Sequence, residues 1–251
     1  MKPKLTAATR GCKLQLACTL FLAFALSGCA TRPSPAPTPV HAPPAPTPPA
    51  RNGRPYDVVT GQSLLELLVY RGGTLASAGH NHVIASHDLT GTLYIPNDPL
   101  AASFELRVPA ASLTVDEPQL RAAEGAGDFP PDVSQSAREG TRRNMLGPAL
   151  LDAAEHPEVL LWSVRLESAS PARPGEVVAT IATQVRGAWH QVRMPLHYEL
   201  SSGTLTVTGE TPLRQSELGL TPFTALMGAL AVQDEMHLKV HLVAHAAESA
   251  H

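Results

Sequence analysis

From residue 63 onward, apolar and polar positions alternate over long stretches. Phe104, Leu106 and Val108 are separated by Glu105 and Arg107. Leu160, Trp162, Val164 and Leu166 are separated by Leu161, Ser163 and Arg165, and Met236, Leu238, Val240 and Leu242 by His237, Lys239 and His241. A period of two sends successive side chains to opposite faces, so these runs predict half-buried antiparallel strands. Further strands are predicted over 63–70, 79–86, 89–95, 176–185, 188–200 and 203–211, punctuated by Gly72-Gly73, Pro96-Asn97-Asp98-Pro99, Pro171 to Gly175 and Ser201-Ser202-Gly203. Eight or nine strands with short connections predict an all-β fold that closes, or nearly closes, into a barrel. One segment breaks the rhythm. Over 117–154 the stretches LRAAEG, SAREGTRRNMLG and PALLDAA predict short helices in a long insertion, the kind of connection that serves a β domain as a lid or functional loop.

The first 55 residues follow other rules. Lys2, Lys4, Arg10 and Lys13 precede an apolar run from Leu14 to Leu26, the layout of a secretory signal, and the run is short for a bilayer span. It ends in Leu26-Ser27-Gly28-Cys29, which resembles the bacterial lipobox. That resemblance implies a signal peptide over 1–28, acylation of Cys29 with palmitate-type chains and, with Ala30 next, sorting to the periplasmic face of the outer membrane. A proline-rich stretch to residue 55 follows. It stays extended, at about 3.1 Å per residue where it is polyproline-like, and predicts a stalk over 29–55 that holds one globular domain, 56–251, off the membrane.

Composition narrows the chemistry. The three cysteines are Cys12 and Cys18, inside the predicted signal, and Cys29, so no thiol is left for a disulfide or a nucleophile. The chain carries a net charge of −3, and losing the four basic residues ahead of Cys29 takes it to −7, which argues against a nucleic-acid surface. Aromatic residues make up only 4% of the chain. A barrel interior built from Leu, Val, Ile and Met suits a flexible alkyl or prenyl chain better than a stacked ring, and an eight-stranded barrel is wide enough for side chains or one slender ligand. A solid core with no cavity, making the protein a structural adaptor, is the competing reading.

Four pieces occur in a telling order: GHNHVIASHDLTGTLYI, a strand leading to a glycine turn; ASFELRVPAASLTVD; RRNMLGPALLDAAEHPEVLLWS; and GTLTVTGETPLRQSELGLTPF. Together, across most of 63–246, they resemble the YceI-like family of secreted bacterial lipid-binding proteins. The resemblance implies an eight-stranded, lipocalin-like antiparallel barrel with helices over one side and a polyisoprenoid-like lipid in an apolar channel. Lipobox and stalk are features of this chain's own.

The expected channel lining is Phe104, Leu106, Val108, Leu160, Trp162, Val164, Met236 and Leu238. His80 and His82 share a strand face with Ile84 and are placed at the mouth as polar groups facing a ligand head, whereas His87 falls on the other face. Side chains at i and i+2 can also meet one metal ion, with His156 or His190 as further ligands, so a metal- or redox-linked module using His80 and His82 is the alternative. His237, His241 and His245, at steps of four on the last strand, are about 13 Å apart and read as a solvated face. Ser86, His87 and Asp88 are chain neighbours on opposite strand faces and cannot form a triad, and no hydrolase, zinc-protease or phosphate-loop motif occurs, so the chain is not read as an enzyme. No cofactor is expected.

Overall fold

A computed structural model describes residues 45–170 and 173–247. Its strands, in chain order, are β1 (Arg54–Val58), β2 (Leu64–Gly72), β3 (His82–Ser86), β4 (Thr90–Ile95), β5 (Ser103–Pro109), β6 (Thr114–Val115), β7 (Glu158–Ser168), β8 (Glu176–Val185), β9 (Ala188–Ser201), β10 (Thr204–Arg214), β11 (Thr224–Ala225) and β12 (Leu230–Ala246). Two α-helices, α1 (Pro118–Ala123) and α2 (Gln135–Leu146), lie between β6 and β7.

The strands close into an eight-stranded antiparallel barrel, because the early ones join end to end. Along one side of β12, β1 pairs near its C-terminal end (Tyr56 with Ala246) and β2 further back (Leu64 with His241, Gly72 with Ala231), so residues 54–72 make one stave broken at 59–63. Against that stave run β3 beside β2 and β4 beside β1, a second stave broken at 87–89. The third joins β5 and β6 in the same way. Adding β7, β8, β9, β10 and β12 gives eight, and every pairing is antiparallel. Strand β1 was not anticipated. Only Tyr56 of RPYDV is buried, so the segment carries no alternation to read. Pairing therefore begins at Arg54, and residues ahead of it already grip the wall: the Arg51 guanidinium makes a two-pronged ion pair with Glu105 at 2.9 Å, and the Ser103 hydroxyl donates to the Ala50 carbonyl.

Gly91 lies inside β4, within the strand predicted over 89–95. A Cβ there would stand 2.1 Å from the Glu105 carbonyl oxygen of the neighbouring strand, at φ +136°, so the close approach of β5 requires glycine.

The insertion between β6 and β7 divides its labour. Its first part packs outside the barrel, where Phe129 and Leu120 cover the outward residues Leu68, Tyr70 and Val83. Its second part, α2, sits over one barrel end and packs Met145 and Leu146 against Ile84 and Leu113. The Ser134 hydroxyl caps α2 by accepting from the Ala137 N–H at 3.2 Å. PALLDAA forms turns instead of a third helix, and Asp152 within it adopts a left-handed φ of 49°, which a continuing helix does not allow.

Candidate functional site

The barrel interior is lined rather than filled. A cavity of about 780 Å³ runs along it, with a wall almost wholly of aliphatic side chains. Val177 and Val185, at opposite ends of β8, both line it. Eight residues of strand span about 26 Å, or about 20 Å along the axis at the usual barrel tilt. Exposed wall residues occur at both ends: Asn97 and Leu200 where β4 and β9 finish, and His80, Asn144 and Phe223 at the end covered by α2. The filled-core reading is thereby corrected.

Among the expected lining residues, Phe104, Leu106, Val108, Met236 and Leu238 stand in the cavity wall. Leu160, Trp162 and Val164 do not. The register explains why. Leu106 lies opposite Leu161 and Val108 opposite Val159, and directly opposed residues share a face, so an inward β5 turns Leu161 and Val159 inward and Leu160 and Trp162 outward. Both phases of β7 are apolar, and its own pattern could not choose between them. A bulge then resets the phase: Ser163 opposes Ile181 and Arg165 opposes Thr180, which leaves Val164 unpaired and 49% exposed while Leu166 returns to the wall. On the outer face Trp162 instead meets Trp189, ring centroids 4.5 Å apart.

Among the polar groups in this wall, one connected set is built around His82, the first residue of β3. Its Nδ1 lies 2.7 Å from Asp116 Oδ2, and its Nε2 lies 3.2 Å from the Thr141 hydroxyl on the inner face of α2. A carboxylate only accepts, so Nδ1 carries the proton, and in the neutral ring Nε2 accepts from Thr141. Asp116, 1% exposed, also accepts from the Val83 N–H at 2.9 Å and from Arg121 Nη1 at 2.6 Å. Burial alone would raise this carboxyl; the bonds from His82 and Val83, with the positive charge of Arg121, outweigh it and hold it below its ordinary value. Arg121, 3% exposed, donates from Nε to the Pro130 carbonyl and from Nη1 to the Asn81 carbonyl, leaves Nη2 buried without a hydrogen-bond partner, and lies over the Phe129 ring. Outer packing and inner wall thus meet at one imidazole.

The line Asp116, His82, Thr141 has the order of a catalytic triad. Thr141 sits in mid-helix, however, where neighbouring N–H groups are committed to the helix ladder, so this line has no oxyanion donors beside it. What it does is fix a ring whose Nε2 faces the cavity. His80 is exposed at the rim, its centroid 6.2 Å from that of His82. His156 packs against Gly187 and His190 against Gly219. Among the described residues no three His, Cys, Asp or Glu side chains form a group able to hold a metal. His87 turns outward to Glu117 at 3.1 Å, while Ser86 bonds Ser112.

Residues 73–244 match the YceI-like domain family. The chain belongs to that family. Among solved structures, this YceI-like barrel is similar to BcnA of Burkholderia cenocepacia, at 17% identity and a TM-score of 0.54, over 74% of this chain and 99% of that one. It is also similar to a polyisoprenoid binding domain from Saccharophagus degradans implicated in plant cell wall breakdown (12% identity, TM-score 0.49, 76% and 98% covered) and to the YCEI protein of Campylobacter jejuni (10%, 0.45, 64% and 82%). At these identities the likeness is one of fold. No curated protein sequence matches the chain.

Asp116, Arg121 and Thr141 were not singled out from the sequence. A signal existed for two of them: an acid at a strand end followed five residues later by an arginine inside a short helix is a spacing at which the two can pair. Thr141 carried no signal, since only the seating of α2 on the barrel end brings it to His82.

Proposed function

We propose that this chain is an envelope lipoprotein, anchored through Cys29 at the periplasmic face of the outer membrane, whose barrel binds a hydrophobic, polyisoprenoid-like lipid. The observation that carries the binding half is the cavity of about 780 Å³ with its aliphatic wall. Each buried methylene contributes about 0.8 kcal/mol, so ten carbons gain about 8 kcal/mol before the cost of immobilising the ligand. His82 is the polar group that orients such a ligand: a hydroxyl, phenol or similar donor displaces Thr141 from Nε2. The anchor rests on Leu26-Ser27-Gly28-Cys29, which lies outside the described residues.

Two substitutions close together on β7 test the cavity. Leu161→Trp narrows it, whereas Val164→Trp places the ring outside. In a fluorescent prenyl-lipid titration beside thermal melts, Leu161→Trp is expected to lose binding and Val164→Trp to keep it. Equal binding by two folded variants would move the site out of the barrel. Native mass spectrometry with organic extraction identifies the ligand. For the anchor, labelled palmitate is expected in the wild type and absent from Cys29→Ser; equal labelling refutes it.

A further inference from the structure

The two barrel ends differ in charge. Around the end where β1 starts stand Arg54, Asp98, Glu176 and Glu199. At the other end two neighbouring rim segments, 72–81 and 218–232, contain no Asp, Glu, Lys or Arg; the charge beside them is Arg71, which lines the cavity and donates to the Gly79 carbonyl at 2.8 Å. The two segments are one structure: the Leu75 N–H donates to the Ala229 carbonyl at 2.8 Å, and Gly73 comes so close to Ala229 that a Cβ would clash at 2.4 Å. Within the second segment Val232 N–H donates to Phe223, pinning the β11–β12 hairpin.

This hairpin faces two ways. Phe223, Leu230 and Val232 line the cavity, while at its tip Leu226 is 66% exposed and Met227 fully exposed, with Leu75 half-exposed beside them. Leu226 and Met227 both adopt left-handed backbone, φ 50° and 56°, a conformation disfavoured for residues with a Cβ. Two large apolar side chains held outward on a convex tip, on a segment without charged residues and continuous with an apolar cavity, have the chemistry of a loop that enters a lipid surface. The two segments themselves carry no carboxylate, lysine or arginine whose solvation would be lost on meeting acyl chains.

We propose that the rim formed by 72–81 and 218–232 docks on a phospholipid bilayer and that the ligand passes between bilayer and cavity there. The inference rests on the reading of the cavity as a lipid site. Its test uses the full chain carrying Cys29→Ser in every arm, so that no acyl anchor contributes, with and without the pair Leu226→Glu and Met227→Glu. One arm measures equilibrium binding of a dansylated short prenyl alcohol in buffer; the other measures its rate of extraction from phosphatidylethanolamine–phosphatidylglycerol vesicles, at low and raised salt. The rim variant is expected to keep its affinity in buffer and to extract more slowly by on the order of tenfold, and wild-type extraction is expected to be insensitive to salt. Unchanged extraction overturns docking, as does affinity lost in buffer together with extraction, which would make the hairpin cavity wall only. Wild-type extraction that needs an added soluble protein assigns the rim to a protein partner and overturns the bilayer. If wild type binds no probe in buffer, the cavity reading fails, and sedimentation with empty vesicles still decides the rim: wild type pelleting and the variant not supports docking, and no difference overturns it.

Discussion

Asp116 joins three things that are far apart in the chain: the first residue of β3, the outer helix and, through His82, the lid. It does so in left-handed backbone, φ 54°, which an aspartate tolerates better than most residues. Asp116→Ala would leave Arg121 buried without its anion, and the expected loss is about 3–5 kcal/mol in a denaturant titration. Acid should show the same group. The folded protein holds this carboxyl below its ordinary value of 3.8, so on acidification the unfolded chain takes the proton first. The stability it contributes is in place above about pH 4 and is lost as pH falls through the folded value. A plot of denaturation midpoint against pH should therefore fall less steeply in the acid range for Asp116→Asn than for wild type, and parallel curves would assign the acid sensitivity elsewhere.

At the scale of elements, legibility in the sequence followed one-sidedness. Strand β8 was bounded correctly at 176–185, since turns close it on both sides. The inward face of β5 was legible because Glu105 and Arg107 mark its outward face. Strand β7 defeated the same logic: Val159, Leu160, Leu161 and Trp162 are apolar on both faces, and only pairing with β5 sets the phase. Nor could the bulge at Val164 be read, since an extra residue leaves no mark in composition. The lid was legible as an insertion, but its polar inner residue Thr141 was not, because helix position says nothing of what the helix faces. Helix α2 has 12 residues, close to the length at which a helix is marginal alone, so its cap should matter. Ser134→Ala is expected to cost about 1 kcal/mol, read as faster amide exchange through α2 with the barrel strands unchanged. Equal acceleration in strands and helix would mean that lid and barrel open together.

The whole molecule encloses a volume that close-packed interiors ordinarily lack, so its stability should depend on what fills it. A ligand at a hundred times its dissociation constant adds about 2.7 kcal/mol. Protein stripped of lipid by organic extraction and refolded is expected to melt lower than protein as purified and to regain the difference on adding a prenyl alcohol. Identical melts, with lipid shown to be present in one sample and absent from the other, would show that the bound lipid sits outside the cavity.

The chain enters the barrel at the end opposite the rim of 72–81 and 218–232: Arg54 pairs with Ile95 at one pole, and Gly72 with Ala231 lies at the other. Tether and rim are therefore antipodal. Under the proposed anchoring through Cys29, an extended connection to Arg54 would carry this rim away from the anchoring surface, toward whatever faces it. Ala50 and Arg51 already hold the wall, so the proposed leash is the 21 residues 29–49, which would reach about 65 Å if polyproline-like throughout. Leash length then becomes a dial on delivery across a gap: shortening it would strand the cargo on the near side while leaving cavity, lid and rim intact.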